Sequence, residues 1–98
     1  MVEIRQTETY RKWFISLRDR NAKVRIDIRI RRISLGNPGD VKSVGEGISE
    51  LRIDYGPGYR IYFIRKESQI IILLAGGDKS TQSRDIKKAR ELAREMEV

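Results

Sequence analysis

Three strand-like segments in the second half of the chain, at 49–55, 59–66 and 69–75, are separated by connections of only a few residues. Connections this short join antiparallel neighbours, because a parallel crossover needs a dozen residues or more. The third segment is apolar from Ile70 to Ala75, which is typical of a central strand covered on both faces. The pattern therefore predicts three consecutive antiparallel strands, the last ending at Gly76-Gly77-Asp78.

Helical spacing is found at both ends of the chain. The apolar positions 10, 13, 14 and 17 predict a helix that begins after Thr7 or Thr9 and ends near 18–19. A last helix is predicted after Ser80, Thr81 or Ser83, one of which would cap it. The inward positions of that helix are Ile86, Ala89, Leu92, Ala93 and Met96. Alternation over 1–5 predicts a short edge strand.

The segment 21–35 fits two structures equally well. Val24, Ile26, Ile28 and Ile30 alternate with charged residues as in a half-buried strand. A helix capped by Asn21 would instead bury one stripe at 22, 26, 30 and 33, and would leave a second stripe at 24, 28 and 35 to be covered. Residues 36–47 are predicted to be a turn followed by an irregular or short extended piece.

Composition limits the chemistry that is open to the chain. Its 98 residues correspond to one domain, 1–98, and 21 Lys and Arg against 14 Asp and Glu give a net charge of +7. This excess favours a polyanionic partner or an acidic protein. Histidine and cysteine are absent, so catalysis would use Arg, Lys, Tyr, Asp or Glu. No signal peptide or membrane span is predicted, acidic residues are too scattered for a metal site, and we expect a soluble cytoplasmic protein without a cofactor.

Alternation along the predicted hairpin groups several polar side chains on one face. Leu51, Ile53 and Tyr55 would face a core, and so would Ile61 and Phe63 after the Gly-Pro-Gly turn. The opposite face, predicted to be open, would carry Arg52, Asp54, Arg60 and Tyr62, with Lys79 near them at the end of the next strand. Cations gathered in this way can stabilise the negative charge that develops when a ribose 2′-hydroxyl attacks the adjacent phosphorus. From alternation alone, three interpretations stay open: a solubilising surface, a nucleic-acid-binding surface and a catalytic site.

Residues 45–92 resemble a known family. The matching motifs are Glu-Leu-Arg at 50–52, Asp-Tyr-Gly-Pro-Gly-Tyr-Arg at 54–60 and Gly-Gly-Asp-Lys-Ser-Thr-Gln at 76–82, and the loop at 36–47 is similar too. With these motifs the chain resembles bacterial addiction-module killer proteins, the phage-derived, HigB-like toxins of the RelE/ParE superfamily. The resemblance implies an α+β fold in the order β-α-α-β-β-β-α. A small twisted antiparallel sheet would pack against an N-terminal helical hairpin and a C-terminal helix, which makes 21–35 the second helix.

The resemblance also implies an activity and its residues. Ribonuclease members of the superfamily cut mRNA in the ribosomal A site without a metal. In this sequence Arg60 would clamp the scissile phosphate, Lys79 would stabilise the transition state, and Arg52 would bind substrate or help activate the 2′-hydroxyl. We expect further RNA contacts from a set of four exposed or hairpin residues: Lys42, Tyr62, Arg65 and Arg84.

Departures from the family pattern leave the general base open. Asp54 replaces a second basic residue, and Ser83, Arg84 and Asp85 occupy the region of a C-terminal catalytic tyrosine. Asp54, Asp78 or Lys79 could therefore act as the base. The expected partners are mRNA, the ribosome and a DNA-binding antitoxin protein. A gyrase-inhibiting toxin and an inactive basic binding module are the alternatives, since the fold alone does not decide the activity.

Overall fold

The computed structural model describes residues 2–96, which form a five-stranded sheet with helices on both faces. In chain order the elements are β1 (Glu3–Gln6), α1 (Glu8–Ser16), α2 (Arg20–Ser34), β2 (Val41–Ser43), β3 (Ser49–Ile53), β4 (Tyr59–Lys66), β5 (Ile70–Asp78), a 3-10 turn (Lys79–Thr81) and α3 (Gln82–Glu95). The predicted α+β architecture is confirmed. Met1, the first residue of the predicted edge strand, lies outside the described residues. Within residues 2–96, no helix is long and apolar enough to cross a bilayer.

The sheet has the strand order β1-β5-β4-β3-β2. The consecutive strands β2 to β5 pair antiparallel, as their short connections require. The expectation of a wholly antiparallel sheet is wrong at one edge, because β1 pairs parallel with β5. The two helices that follow β1 supply the long connection that a parallel pair needs. The residues predicted to be irregular or extended include the short strand β2, which forms the other edge.

The ambiguous segment is helix α2, which confirms the assignment that the family resemblance favoured. Ala22, Ile26, Ile30 and Ile33 are buried on a single stripe. The predicted cap is wrong by two residues. The Asp19 side chain, rather than Asn21, accepts hydrogen bonds from the N–H groups of residues 21 and 22, at 2.9 and 3.2 Å.

Both faces of the sheet are covered, each by a different helical layer. Helices α1 and α2 pack on the face that carries Leu51, Ile61 and Phe63. Helix α3 packs on the opposite face over Tyr62 and Leu74. The prediction that this second face is open is therefore wrong over most of its area. The second face stays open only at the end of the hairpin near the Gly-Pro-Gly turn, which α3 does not cover.

Strand β5 continues through the two glycines that were predicted to break it. A Cβ atom on Gly76 would overlap the Trp13 ring, and one on Gly77 would overlap the Asp85 carboxylate. The glycines therefore let helices from both layers approach the strand closely. Because the strand runs on to Asp78, Lys79 follows directly beside the start of β4, where Tyr59 pairs with Asp78.

Candidate functional site

Two arginines face each other across the β3–β4 hairpin. Arg52 and Arg60 are direct partners in the strand register. Directly opposed side chains have Cβ atoms about 5 Å apart, and like charges in that arrangement are destabilising. Such a pair persists where other groups compensate for the repulsion, and it creates a concentrated positive potential.

Lys79 joins this pair through the turn. Gly58 has a φ of +81°, and a Cβ atom built on it would lie 3.5 Å from Arg60 Nη1 and 3.6 Å from Lys79 Cβ. The Arg60 guanidinium and the Lys79 stem therefore flank the same glycine. A side chain at position 58 would be strained by this positive φ. The sequence prediction that these three cations share one surface is consistent with this geometry.

The three cations line an open cleft of about 450 Å³. Its full lining is Asp40, Arg52, Asp54, Gly56, Pro57, Gly58, Arg60 and Lys79. With three basic and two acidic side chains, the cleft carries a net positive charge. A space of this size and charge can hold a phosphate with its neighbouring sugars.

Arg60 is held from below by a buried carboxylate, Glu50. The two side chains are only 10% and 1% exposed, and Arg60 Nε lies 3.9 Å from Glu50 Oε1. Glu50 Oε2 accepts hydrogen bonds from the Tyr62 hydroxyl at 3.1 Å and from Gln82 Nε2 at 2.7 Å. Arg60 Nη1 also donates to its neighbour's carbonyl, Tyr59 O, at 3.1 Å. Arg60 Nε itself has no hydrogen-bond partner among the described residues, so the guanidinium is positioned at the floor of the cleft by the charge of Glu50 and by the bond of Nη1 to Tyr59 O.

Arg52 is placed by its backbone instead. Its N–H donates to Asp40 O at 3.0 Å, and its carbonyl accepts from Arg29 Nη1 at 2.8 Å. The side chain is 41% exposed, and its Nε lies 3.9 Å from Asp40 Oδ2. Arg52 can therefore reach a ligand at the rim of the cleft, whereas Arg60 is preorganised at its floor.

The two carboxylates predicted as general bases have different surroundings. Asp54 is exposed and lines the cleft. Asp78 is the N-cap of the 3-10 turn, where its Oδ1 accepts hydrogen bonds from the Ser80 N–H at 2.8 Å and from the Ser80 hydroxyl. Asp78 is not among the residues that line the cleft. The structure therefore gives Asp78 a capping contact and leaves Asp54 at the cleft surface.

The four predicted RNA contacts do not form one group. Tyr62 is fully buried, so the prediction that it contacts RNA is wrong. Its burial, reinforced by Glu50, also raises the pKa of its hydroxyl. Arg65 is exposed five residues along β4, roughly 17 Å from Arg60 at the usual strand rise, and it does not line the cleft. Lys42 is exposed on β2 and pairs with Glu50, which places it on the sheet face of Arg60. Arg84 adjoins the cleft through Lys79, since both line a neighbouring depression of about 420 Å³.

Sequence reasoning missed the residues that hold the cations in place. In the sequence Glu50 stands out only as the first residue of the Glu-Leu-Arg motif, and alternation puts this acid on the same strand face as Arg52. Because that face was predicted to be open, an acid on it gave no sign that it would be buried against Arg60. Asp40 and Gln82 carried no signal either, because only the tertiary structure brings them to the hairpin.

Solved structures with the same fold define the class of protein. The chain matches the crystal structure of the intact Escherichia coli RelBE toxin–antitoxin complex with a TM-score of 0.69, at 11% identity over 80% of this chain and 96% of that chain. It also matches a double arginine-to-alanine mutant of E. coli RelE in the free state, with a TM-score of 0.67, at 12% identity over 89% of this chain and 96% of the other. The protein therefore has a RelE-like toxin fold.

The sequence places the chain more specifically within that class. The family model for phage-derived Gp49-like proteins (DUF891) matches residues 12–96, so this chain belongs to the Gp49-like family. A Haemophilus influenzae protein described as uncharacterized is 50% identical over 95 residues, which span 97% of this chain and 96% of that protein. The resemblance stated from the sequence is thus confirmed for the RelE-like fold and for the phage-derived Gp49-like family.

Proposed function

We propose that the protein is the HigB-like toxin of a toxin–antitoxin pair, and that it cleaves mRNA on the ribosome in the cytoplasm. The observation that carries the proposal is the cleft in which Arg52, Arg60 and Lys79 converge. A monoanionic phosphodiester placed there would meet two guanidinium groups and an ammonium group. The RelE-like fold and the Gp49-like family support the assignment as a toxin.

The proposed reaction needs no metal ion or cofactor. The ribose 2′-oxygen forms a bond to the adjacent phosphorus while the bond from phosphorus to the 5′-oxygen of the next nucleotide breaks. The 2′-hydroxyl proton passes to a base and the leaving 5′-oxygen gains a proton, so the products are a 2′,3′-cyclic phosphate and a 5′-hydroxyl. Negative charge rises on the non-bridging oxygens in the transition state, which is where fixed cations lower the barrier.

Each residue of the cleft has a proposed role in this step. Arg60 binds the non-bridging oxygens, because its guanidinium is already held in place by Glu50 and has little entropy to lose. Lys79 stabilises the charge that develops on these oxygens, since its stem approaches the same glycine, Gly58, as the Arg60 guanidinium. Asp54 takes the 2′-hydroxyl proton, since of the two candidate carboxylates it is the one that lines the cleft. Arg52 and, beyond Lys79, Arg84 bind the neighbouring phosphates.

Alanine substitution of Lys79 is the sharpest test, because this side chain is exposed and its removal leaves the fold unstrained. Loss of one preorganised charge typically lowers the rate about 100-fold or more. Cleavage would be measured by mapping new 5′ ends on a defined mRNA bound to purified ribosomes. Arg65→Ala is the matched control for Arg60→Ala, since both arginines lie on β4 but only Arg60 lines the cleft.

The outcomes separate the proposed activity from its alternatives. Loss of cleavage in Lys79→Ala and Arg60→Ala, with normal cleavage in Arg65→Ala, is expected. Unchanged cleavage in a folded Lys79→Ala variant would reject the assigned site. Growth arrest with an SOS response and without new 5′ ends would reject the ribonuclease in favour of a gyrase-inhibiting toxin.

A further inference from the structure

The outward face of α2 exposes large aliphatic side chains. Val24, Ile28 and Leu35 are 56%, 46% and 67% exposed. Val24 and Ile28 are one turn apart on the same side of the helix, and the C-cap residue Leu35 follows two turns further on, so the three form an apolar ridge that is interrupted between Ile28 and Leu35. Ridges of this kind mark surfaces that another molecule covers.

Positive charge surrounds this ridge. Helix α2 carries six basic side chains and one acidic one, a net charge of +5 within a chain of net charge +7. The basic residues are Arg20, Lys23, Arg25, Arg29, Arg31 and Arg32. The helix therefore combines an apolar ridge with most of the molecule's excess charge.

A groove of about 350 Å³ runs beside the ridge, between α2 and the edge of the β3–β4 hairpin. Ile28 and Ile53 give it apolar walls, and Arg25, Arg29 and Arg32 surround them with positive charge. Two of these arginines are already immobilised. The Arg25 guanidinium lies 4.5 Å from the Tyr55 ring centroid, and Arg29 donates to the carbonyl of Arg52. A ligand would thus bind to side chains that have little conformational freedom left to lose.

We infer that this groove binds an acidic peptide segment with aliphatic anchors, supplied by the antitoxin; this inference rests on the proposed function. Aliphatic side chains of the bound peptide fill the space beside Ile28, and the carboxylates of the peptide pair with the surrounding arginines. A nucleic acid would gain little from the exposed isoleucine, because its backbone offers phosphates rather than apolar anchors. A second copy of this chain would bring another helix of charge +5 against the first.

The position of the groove explains how such a segment would inhibit the toxin. Asp54 lines both the groove and the catalytic cleft, so the two depressions meet at this residue. Arg29 lines the groove and also hydrogen-bonds the backbone of Arg52. A chain that leaves the groove at this end would enter the space proposed for the scissile phosphate. The bound segment therefore blocks access of mRNA to the cleft.

A synthetic peptide provides the test. The probe is a fluorescein-labelled helical peptide with leucines spaced four and seven residues apart and glutamates between them. Two matched peptides replace all glutamates with glutamine or all leucines with serine. Binding to the full chain is measured by anisotropy. Because a central anchor commonly contributes a tenfold change in affinity or more, Ile28→Ser should weaken binding about tenfold. Arg32→Gln should weaken it most at low salt.

The control variant is Ile15→Ser, which removes a similarly exposed side chain, 58% accessible, from α1. This variant should bind like the unmodified protein. Equal binding of the glutamine peptide, or equal affinity of Ile28→Ser, would overturn the proposal. If a single-stranded oligonucleotide competes with the peptide and binds the Ile28→Ser variant as well as the unmodified protein, the face would be assigned to nucleic acid instead. A dimer seen in sedimentation that Ile28→Ser dissociates would assign it to a second copy.

The same peptide distinguishes failure of this inference from failure of the proposed function. If both hold, the peptide inhibits ribosomal mRNA cleavage by the unmodified protein and fails to inhibit the Ile28→Ser variant, which still cleaves. Binding that depends on Ile28 in a protein without any cleavage activity would support the groove and reject the ribonuclease. Cleavage that the bound peptide leaves unchanged would reject the inhibitory role of the groove.

Discussion

Replacing Glu50 or Arg60 with leucine should strongly destabilise the protein, whereas replacing both should cost clearly less than the sum of the two single replacements. Each single change leaves one buried charge without its partner, since these side chains are 1% and 10% exposed. Breaking a buried ion pair from one side costs about 3–5 kcal/mol, while exchanging both partners for apolar residues of similar size is often neutral. Glu50→Leu also removes the acceptor for the Tyr62 hydroxyl and for Gln82.

The exposed pair at the rim of the same cleft is a control for burial. Arg52 Nε and Asp40 Oδ2 lie 3.9 Å apart, the same separation as in the buried pair, but their side chains are 41% and 61% exposed. Exposed pairs contribute about 0–1 kcal/mol, because solvent and salt screen them. Asp40→Asn should therefore leave the free energy of unfolding almost unchanged.

Urea unfolding followed by the fluorescence of Trp13, the single tryptophan, measures these differences. Thermal unfolding, followed by the same fluorescence, measures them too. In a domain of this size 1 kcal/mol corresponds to a shift of about 4–8 °C in melting temperature, so each single variant should have a melting temperature at least roughly 12 °C lower. The double variant should lose clearly less than the two single variants together, and the loss that remains is the cost of the Tyr62 hydroxyl and the Gln82 amide without their acceptor. If the double variant loses as much as the two single variants together, Glu50 and Arg60 are not coupled. The account of how Arg60 is held would then be refuted.

Three further substitutions test the packing and the caps. Gly76→Ala should cost about 1–3 kcal/mol or more and change Trp13 fluorescence, because the added methyl group overlaps the indole ring; an unchanged urea midpoint would contradict this contact. Tyr10→Phe should be neutral or slightly stabilising in urea unfolding, since the buried Tyr10 hydroxyl has no hydrogen-bond partner among the described residues; a clear loss of stability would reveal a partner. Hydrogen bonds from the Ala22 N–H and the Tyr55 hydroxyl lower the pKa of Asp19 in the folded protein. The contribution of Asp19 to the free energy of unfolding is therefore fully present above the ordinary pKa of an aspartate and disappears as the pH falls through the lowered pKa. Asp19→Asn should therefore flatten the acid side of the stability profile, and an unchanged slope in thermal unfolding below about pH 4 would argue against this cap.

Segments with a strong local signal were predicted correctly. The connections between β3, β4 and β5 are too short for any arrangement except antiparallel neighbours, and the structure has that pairing. The apolar positions of α3 all pack against the sheet as predicted. Such features follow from the spacing of apolar residues and from turn length, which act between residues close in sequence.

Predictions failed where packing against another element outweighed the local sequence pattern. The two glycines after Ala75 are typical of a strand end, but Trp13 and Asp85 pack against them and the strand continues. The hairpin face opposite α1 and α2 was expected to be open, but α3 covers Tyr62. In each case the deciding contact comes from a helix outside the strand: Trp13 is distant in sequence, whereas Asp85 and the rest of α3 follow β5 closely but fold back over the sheet.

The amino-acid sequence by itself determined which residues could share a strand face, because side chains of a strand alternate with a period of two. It also determined the positive charge and the two stripes of α2. Only the tertiary structure decided that Arg52 and Arg60 are cross-strand partners and that Arg60 and Lys79 both approach Gly58. It also decided that Arg65 lies away from the cleft. Strand register and the stacking of helices depend on contacts between residues distant in sequence, and such contacts form only when the whole core packs.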